Sequence, residues 1–515
     1  MLATLIAPVL GAVALWWVFR PWVQQAAFSP LAKLPTVHWS CAWSPLWVLY
    51  LRYSGRELEV MHEAHQKLGP VLRVGPRDVS VSCYNDGVRT IYGGGMDKPD
   101  YYDYYQYHDV ENSFSTLLRG DHAVRRRRVA GVYTKTFVQN SPHLATLAQQ
   151  IIDGRLLPLM TDLAKKGETF CMLRLTWALS FDLITSFIFG LEAGSNFLAD
   201  VSKIDAITDA YDNRYPHETF WKKETPGLHK LLAACGLSPL GPRNAKYQKA
   251  KKFLEAFTLS FCHRADAVLK RRGGKAVSKE SGDYPMVYAA MRIAVDKEYP
   301  HLSEKAKMTL IASEMFDHLS SAHEVFGLVQ AYTLRFIAQS NAAQARLRAE
   351  FLANQTAAPF LPQSATSLGG LPYLGAVISE SFRLRPTGTP LPRITPANKT
   401  TKLGQYDDIP GGVRVNTYQW FLHRDPRIWS ASEEWVPERW MKSEGKGDGA
   451  EGVLWQFCSG PRMCVGNHLT DYLMRQIMSS MFSNFELRNE YTEARDREDI
   501  GTAKDRIPMV IKALS

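Results

Sequence analysis

The stretch Phe457-Cys458-Ser459-Gly460-Pro461-Arg462-Met463-Cys464-Val465-Gly466 stands directly before a helical apolar repeat that opens at Asn467. Its residues Phe457, Gly460, Arg462, Cys464 and Gly466 fill every fixed position of the pattern FxxGxRxCxG. With each residue type at about 5% usage, such a match arises by chance less than about once in a thousand chains of this size. The residue types make sense around one sulfur. Gly460 and Gly466 can take positive φ and spare the room of a Cβ, so backbone amides can approach Cys464. The positive end of the following helix favours a thiolate and is expected to lower the pKa of Cys464. The competing reading is a buried structural cysteine in a glycine-rich turn, and Cys458, at a variable position, fits such a role.

The seven cysteines, at 41, 83, 171, 235, 262, 458 and 464, are odd in number and scattered, without repeated CxxC pairs. That argues against a disulfide framework or a structural zinc site and fits a reducing compartment. A lone thiolate suits haem iron, where it donates electron density that favours O–O cleavage and is tuned by hydrogen bonds to sulfur.

Other motifs gain weight from this one. Glu380 and Arg383, in Ser379-Glu380-Ser381-Phe382-Arg383, lie at i and i+3 on one predicted helical face. Alone they would be a surface ion pair of little worth. Pro437-Glu438-Arg439-Trp440 follows downstream, and His122-Ala123-Val124-Arg125-Arg126-Arg127-Arg128 lies upstream. The four arginines have a nucleic-acid reading, but a bare run is more often a solvated face.

In this order the motifs resemble those of the cytochromes P450, and the decapeptide is similar to the family's haem-binding loop. The resemblance covers nearly the whole chain. It implies a mainly α protein with small β-sheets, the cytochrome P450 fold, carrying haem b with Cys464 as axial ligand. Arg462 is then placed for a haem propionate, as are His122 and Arg126 on one face of a helix, although the family usually has Trp at the first of these. Arg393, in Leu391-Pro392-Arg393, resembles a further propionate ligand, and Phe457, Gly460 and Gly466 shape the loop. Glu380, Arg383 and Arg439 correspond to the family's Glu-Arg-Arg triad, which is structural.

Apolar periodicity predicts helices from Ser303 to about Gln339, Ala342 to Leu352, Leu374 to Leu384 and His468 to Phe482. Val71 to Val74 and Val79 to Val81, split by Gly75-Pro76, read as a hairpin. In the first of those helices Asp317, Ser320, Ser321 and Glu324 form a polar stripe. The family's corresponding segment relays protons through an acid and a threonine and distorts at a glycine. Glu324 matches the acid, but Ala322 stands for the glycine and Val325 for the threonine. Valine has no donor or acceptor, so Glu324 and Ser321 are the expected relay residues. The alternative is chemistry other than hydroxylation, namely oxidative coupling, rearrangement or dehydration. A membrane haem protein without catalysis is the remaining class.

The chain has 515 residues and a net charge of +10. Met1 to Phe19 carry no charge and are long enough to cross most of a bilayer of about 30 Å. The segment lacks a basic start and a cleavage site, so it reads as an uncleaved anchor. Arg20 and Lys33 follow it, which places the bulk of the chain in the cytosol. The expected layout is a transmembrane anchor over 1–20, a proline-rich hinge over 21–36 and a haem-thiolate domain over 37–515. The resemblance points to the endoplasmic reticulum class and to fungal secondary metabolism. No GxGxxG fingerprint or flavin module is present, so electrons must come from a partner. By resemblance that partner is an NADPH-dependent flavoprotein reductase, with cytochrome b5 a second candidate, and nucleic acid is not expected. The substrate is expected to be a lipophilic small molecule.

Overall fold

Gly75-Pro76 ends one extended run and turns the chain into the next, so that β1 (Val71–Gly75) and β2 (Asp78–Val81) pair antiparallel. This is the start of a largely helical molecule in the computed structural model. It describes residues 24–214, 219–237, 244–270, 278–354, 365–386, 390–441, 453–489 and 507–514. The anchor expected over 1–20 lies outside the described residues.

Short strands complete three sheets: β3 (Phe170–Cys171), β4 (Arg393–Ile394), β5 (Thr401–Leu403), β6 (Tyr406–Ile409), β7 (Arg414–Asn416), β8 (Phe485–Asn489) and β9 (Pro508–Ala513). The largest has the order β1-β2-β7-β4, in which β2 and β7 run parallel with Asp78 opposite Arg414. The others are β3-β9-β8 and the hairpin β5-β6. The proline stretch is docked to the first sheet: Leu31 and Leu34 are buried among its valines, and Arg73 N–H donates to Pro35 O at 2.9 Å.

Seven helices position the site. They are α1 (Arg119–Arg127), α2 (Met172–Phe189), α3 (Ile204–Asn213), α4 (Glu304–Ser321), α5 (Leu328–Ala338), α6 (Pro372–Leu384) and α7 (Asn467–Asn484). Among the described residues α2 is the one helix long and apolar enough to cross a membrane, yet 94% of it is buried within the protein. A helix apolar all round is the centre of a core, and the other helices pack about it.

The expected helix from Ser303 to Gln339 is one continuous rod with a defect. Between α4 and α5 the residues Ala322–Gly327 widen into a π-helical turn. Such turns break the regular ladder and concentrate at functional sites. The distortion forms although alanine stands at 322, and Ala322 is fully buried. The glycine this helix does need is Gly327, where a Cβ would come within 2.6 Å of Trp177 Cδ1 on α2. Trp177 Nε1 in turn donates to His323 O at 3.0 Å, satisfying a carbonyl of the widened turn.

Glu380 on α6 is completely buried and binds two cations. Arg383 reaches its two oxygens at 2.9 and 2.8 Å, and Arg439 Nε donates to it at 3.1 Å. Val436 N–H and Trp440 Nε1 also donate to it, each at 2.9 Å. Removing the charge of Glu380 strands both guanidiniums in the interior. Glu380→Gln is therefore expected to lower stability by about 3–5 kcal/mol, read as a fall in the urea or thermal midpoint of the full chain.

Candidate active site

The Cys464 loop closes on itself. Cys464 N–H donates to Phe457 O at 2.9 Å, and a 3-10 turn over Gly460–Arg462 carries the chain round. Gly460 has φ +70°, and a Cβ there would strike the Tyr92 carbonyl. Gly466 instead caps α7 at φ −86°, so the expectation of positive φ holds at Gly460 alone. Phe457 packs on Phe382 of α6 with ring centroids 5.2 Å apart. Cys458 takes φ +60° and packs against the small core below the first sheet.

Cys464 is an exposed residue in a densely packed part of the protein. Burial pushes its pKa up, and the Gly466 amide and Arg126 pull the other way without winning. The expected depression of the thiol pKa is thus not reached by the helix end and its neighbours. A metal cation held by this sulfur would supply the missing compensation, because a coordinating thiol is deprotonated outright.

Basic side chains from four segments converge near this loop. Arg126 Nη1 donates to Met463 O at 2.5 Å, fixing α1 to the residue before the ligand. Arg462 donates to Thr116 O and Leu117 O at 2.7 and 2.6 Å, and its buried Nε has no hydrogen-bond partner among the described residues. Arg393 donates to Tyr102 Oη at 3.0 Å and to Pro392 O at 2.9 Å. His122 is buried, and its pKa is pushed down to about 3 by burial and then by Arg462, Lys98 and Arg126. Sequence reading missed Lys98. Its ammonium donates to Phe114 O and sits 4.3 Å from the centre of the Tyr102 ring. Burial, with Arg393 and Arg462, holds its pKa well below the usual lysine range. Nothing in Met96-Asp97-Lys98-Pro99 marks that lysine as a site residue.

Mutual repulsion among buried cations is costly unless an anion is placed between them. The donor set therefore fits haem b: a thiolate for iron, an orphaned guanidinium Nε and a positive rim for two propionates. The other arginines of the α1 run are dispersed by helical rotation. Arg125 pairs with Glu111 at 3.3 Å and Arg128 with Glu298 at 2.6 Å, which leaves Arg127 exposed. They form no continuous strip for nucleic acid.

The widened turn carries Glu324. Its carboxylate is ion-paired with Arg214, the residue that caps α3. Arg214 is buried, with Tyr107, Tyr211 and Phe316 rings 5.1 to 5.6 Å from its guanidinium. Ser321 is exposed, and its hydroxyl donates to His318 O at 2.7 Å. His323, between them in sequence, is stacked between Trp177 and Tyr211 with centroids 4.7 and 4.5 Å away. Neither Arg214 nor Trp177 was legible as a site residue, since each reaches the turn from a distant segment.

The sequence matches the cytochrome P450 family over residues 35–508, and the chain belongs to that family. Relatives share low identity over nearly full length. The cytochrome P450 monooxygenase hkm5 of Aspergillus hancockii is 24% identical over 484 residues, 90% of this chain and 86% of that protein. The monooxygenase aflU of Aspergillus parasiticus is 23% identical over 95% of this chain and 94% of its own length. Averantin hydroxylase of the same species is 26% identical over 93% of this chain and 90% of its own. The protein is accordingly a cytochrome P450 monooxygenase by class.

Because Gly460 combines left-handed backbone with close approach to Tyr92, Gly460→Ala is expected to cost at least about 1–3 kcal/mol in strain alone. Purified protein should show a lowered thermal midpoint and reduced haem content, measured as haem absorbance per polypeptide.

Proposed function

We propose that this protein is a haem-thiolate monooxygenase that oxidises a lipophilic small molecule of secondary metabolism with O2. The observation that carries the reading is the exposed Cys464 in its closed loop, with Arg126 bonded to Met463 beside it and Lys98, His122, Arg393 and Arg462 electrostatically coupled to one another close by. The names of the relatives support the metabolic setting. When bound, the haem would supply dioxygen activation, with Cys464 as the residue that would hold its iron.

The chain's own residues do the rest. Cys464 would hold the iron, with the Gly466 amide steadying its charge. Arg126, Arg462, Arg393 and His122 would hold the propionates, with Lys98 beside them. Phe457 packs on Phe382 and Gly460 supplies the left-handed turn that shapes the loop. Glu324 and Ser321 would move protons, and the Arg214 ion pair holds the Glu324 carboxylate. Replacing Glu324 by Gln is expected to lower product formed per NADPH consumed. Unchanged turnover and coupling would remove Glu324 from the relay.

Electrons reach the haem from an NADPH-dependent flavoprotein reductase, with cytochrome b5 as a second donor. Arg127 and the exposed Lys135 lie on or just after α1, next to the thiolate loop, and suit an acidic docking surface. Reductase-supported turnover should fall as ionic strength rises through about 0.1 M, where screening reaches about 10 Å. Residues 1–20 anchor the chain in the endoplasmic reticulum membrane, residues 21–36 lead into the domain, and residues 37–515 face the cytosol. Exposed Phe28, Trp39, Leu46 and Tyr50, with Leu228 and Leu231, support contact with that membrane.

A second reading is favoured by Val325 and Ala322, namely coupling, rearrangement or dehydration in place of hydroxylation. Mass spectrometry of product formed under isotopically labelled O2 separates the two: one labelled oxygen atom supports hydroxylation. The class itself is tested by the carbon monoxide difference spectrum of the reduced protein. The thiolate-type band is expected in the wild type and should vanish in Cys464→Ser.

A further inference from the structure

Segments distant in sequence meet in a cluster of charge on the first sheet. Arg52, from the helix Leu46–Tyr53, donates to Glu57 at 2.9 Å and lies 2.8 Å from Asp78 and 3.4 Å from Glu224. Arg414 on β7 spends Nη1 on Glu224 at 3.0 Å. Asp78 also accepts from Asn416 Nδ2 at 2.6 Å. The acids of the cluster are thus committed, chiefly to Arg52.

Its other cations are less well served. Arg414 Nε and Nη2 are buried without a hydrogen bond to any described residue, and Asp78 comes no closer to Nε than 4.0 Å. Those two nitrogens form one edge of the guanidinium, the kind of edge that grips a carboxylate through two parallel N–H bonds. Lys223, beside Glu224 in sequence, makes no hydrogen bond or ion pair with a described residue. Burial lowers its pKa, with Glu224 and Glu57 opposing and Arg414 and Arg52 adding to the fall.

Both cations lie against one ring. Arg414 Cζ is 5.1 Å and Lys223 Nζ 5.4 Å from the centre of Tyr101. Tyr101 is 2% exposed, and its hydroxyl lacks a hydrogen-bond partner among the described residues. A guanidinium edge, an ammonium and a hydroxyl therefore gather at one place with no acceptor to meet them. Buried donors left unsatisfied are costly, charged ones most of all, and they persist where a ligand or an ordered water completes them.

The position suits a ligand of the Cys464 site. Arg414 keeps 15% of its side chain exposed and Lys223 is half-buried, so solvent reaches the cluster. Inward, Tyr101 meets Tyr102 edge-on at 5.3 Å, and Tyr102 and Tyr105 meet Phe114 at 5.3 and 5.0 Å. The Tyr102 hydroxyl accepts from Arg393 at 3.0 Å, and Arg414 stands opposite Ile394 on the neighbouring strand β4. An aromatic wall thus leads from the cluster to Arg393.

We propose that Arg414, Lys223 and Tyr101 form an acid-recognition site that binds the carboxylate of the substrate, whose lipophilic body lies along the adjoining aromatic rings. The assignment rests on the monooxygenase reading above and narrows its substrate from a lipophilic molecule to a lipophilic acid. Arg414 offers two parallel N–H bonds, Lys223 a full charge and Tyr101 its hydroxyl. Glu224 steadies Arg414 through Nη1 and leaves that edge open. A few placed polar groups in an otherwise apolar site are what fix a ligand's orientation.

The test uses the full-length, haem-loaded protein with straight-chain and aryl carboxylic acids of graded size, each beside its methyl ester. Affinity is read from the shift of the haem absorbance band and from the rise in thermal midpoint, neither of which needs turnover. The ester keeps the apolar body and loses the charge. In the wild type at least one acid should bind at least about tenfold more tightly than its ester, the scale of a charge-assisted hydrogen bond. Lys223→Gln should erase most of that preference and Tyr101→Phe part of it, while Lys223→Arg retains it and ester affinity stays unchanged. These substitutions leave the Arg414–Glu224 pair in place.

If no acid binds more tightly than its ester, the proposal is overturned. A preference that survives both Lys223→Gln and Tyr101→Phe overturns it too, and leaves ordered water as what these donors hold. In either case a thiolate-type carbon monoxide band confines the failure to the acid site. Loss of that band in the wild type instead overturns the monooxygenase reading.

Discussion

The buried carboxylate of Glu380 is the constraint from which the geometry of the site descends. Two guanidiniums, an indole N–H and a backbone amide spend their donors on it, and the two arginines carry the constraint onward. Arg383 donates to His423 O at 2.7 Å, and His423 Nε2 accepts from Trp455 N–H at 3.0 Å. Burial with Arg383 and Arg424 nearby pushes the His423 pKa down to about 3, so this ring is a neutral acceptor. Trp455 O accepts from Gln419 Nε2 at 2.7 Å, and the Cys458 amide bonds to the same carbonyl at 3.3 Å. A chain of directional bonds thus runs from α6 to the cysteine loop. Such networks contribute specificity of geometry where an apolar contact of equal area would allow sliding.

The loop so fixed has an electrostatic problem built into it. Its dense surroundings push the Cys464 thiol pKa up, and the cations near it repel one another. One ligand that brings a metal cation to the sulfur and two carboxylates to the rim relieves both.

The distal side is organised by contacts between helices. Trp177 from α2 satisfies a carbonyl of the π-helical turn, and Arg214 from the end of α3 clamps its acid. The widening expected of a glycine occurs over Ala322, with close approach moved to Gly327. Since α3 leads into the segment that precedes the helix at Phe220–Glu224, its position bears directly on the direction of the Glu324 carboxylate.

Much of this was legible in the amino-acid order. The hairpin at Gly75-Pro76 is written in turn chemistry, and the helices at 372–384 and 467–484 in apolar period, because both signals are local. The FxxGxRxCxG run determined the sulfur, its loop and the class of chemistry, since a thiolate against a macrocycle leaves few residue types free at those positions. Sequence alone overestimated the helix end acting on Cys464, because the cost of burial depends on everything packed around it. Lys98, Arg214 and Trp177 belong to the site only because distant segments meet there, and the ordinary residues beside them carry no mark of it. Whether Glu324 has a partner is likewise a property of the fold: the acids of one helix look alike in sequence, and tertiary packing alone distributes their partners.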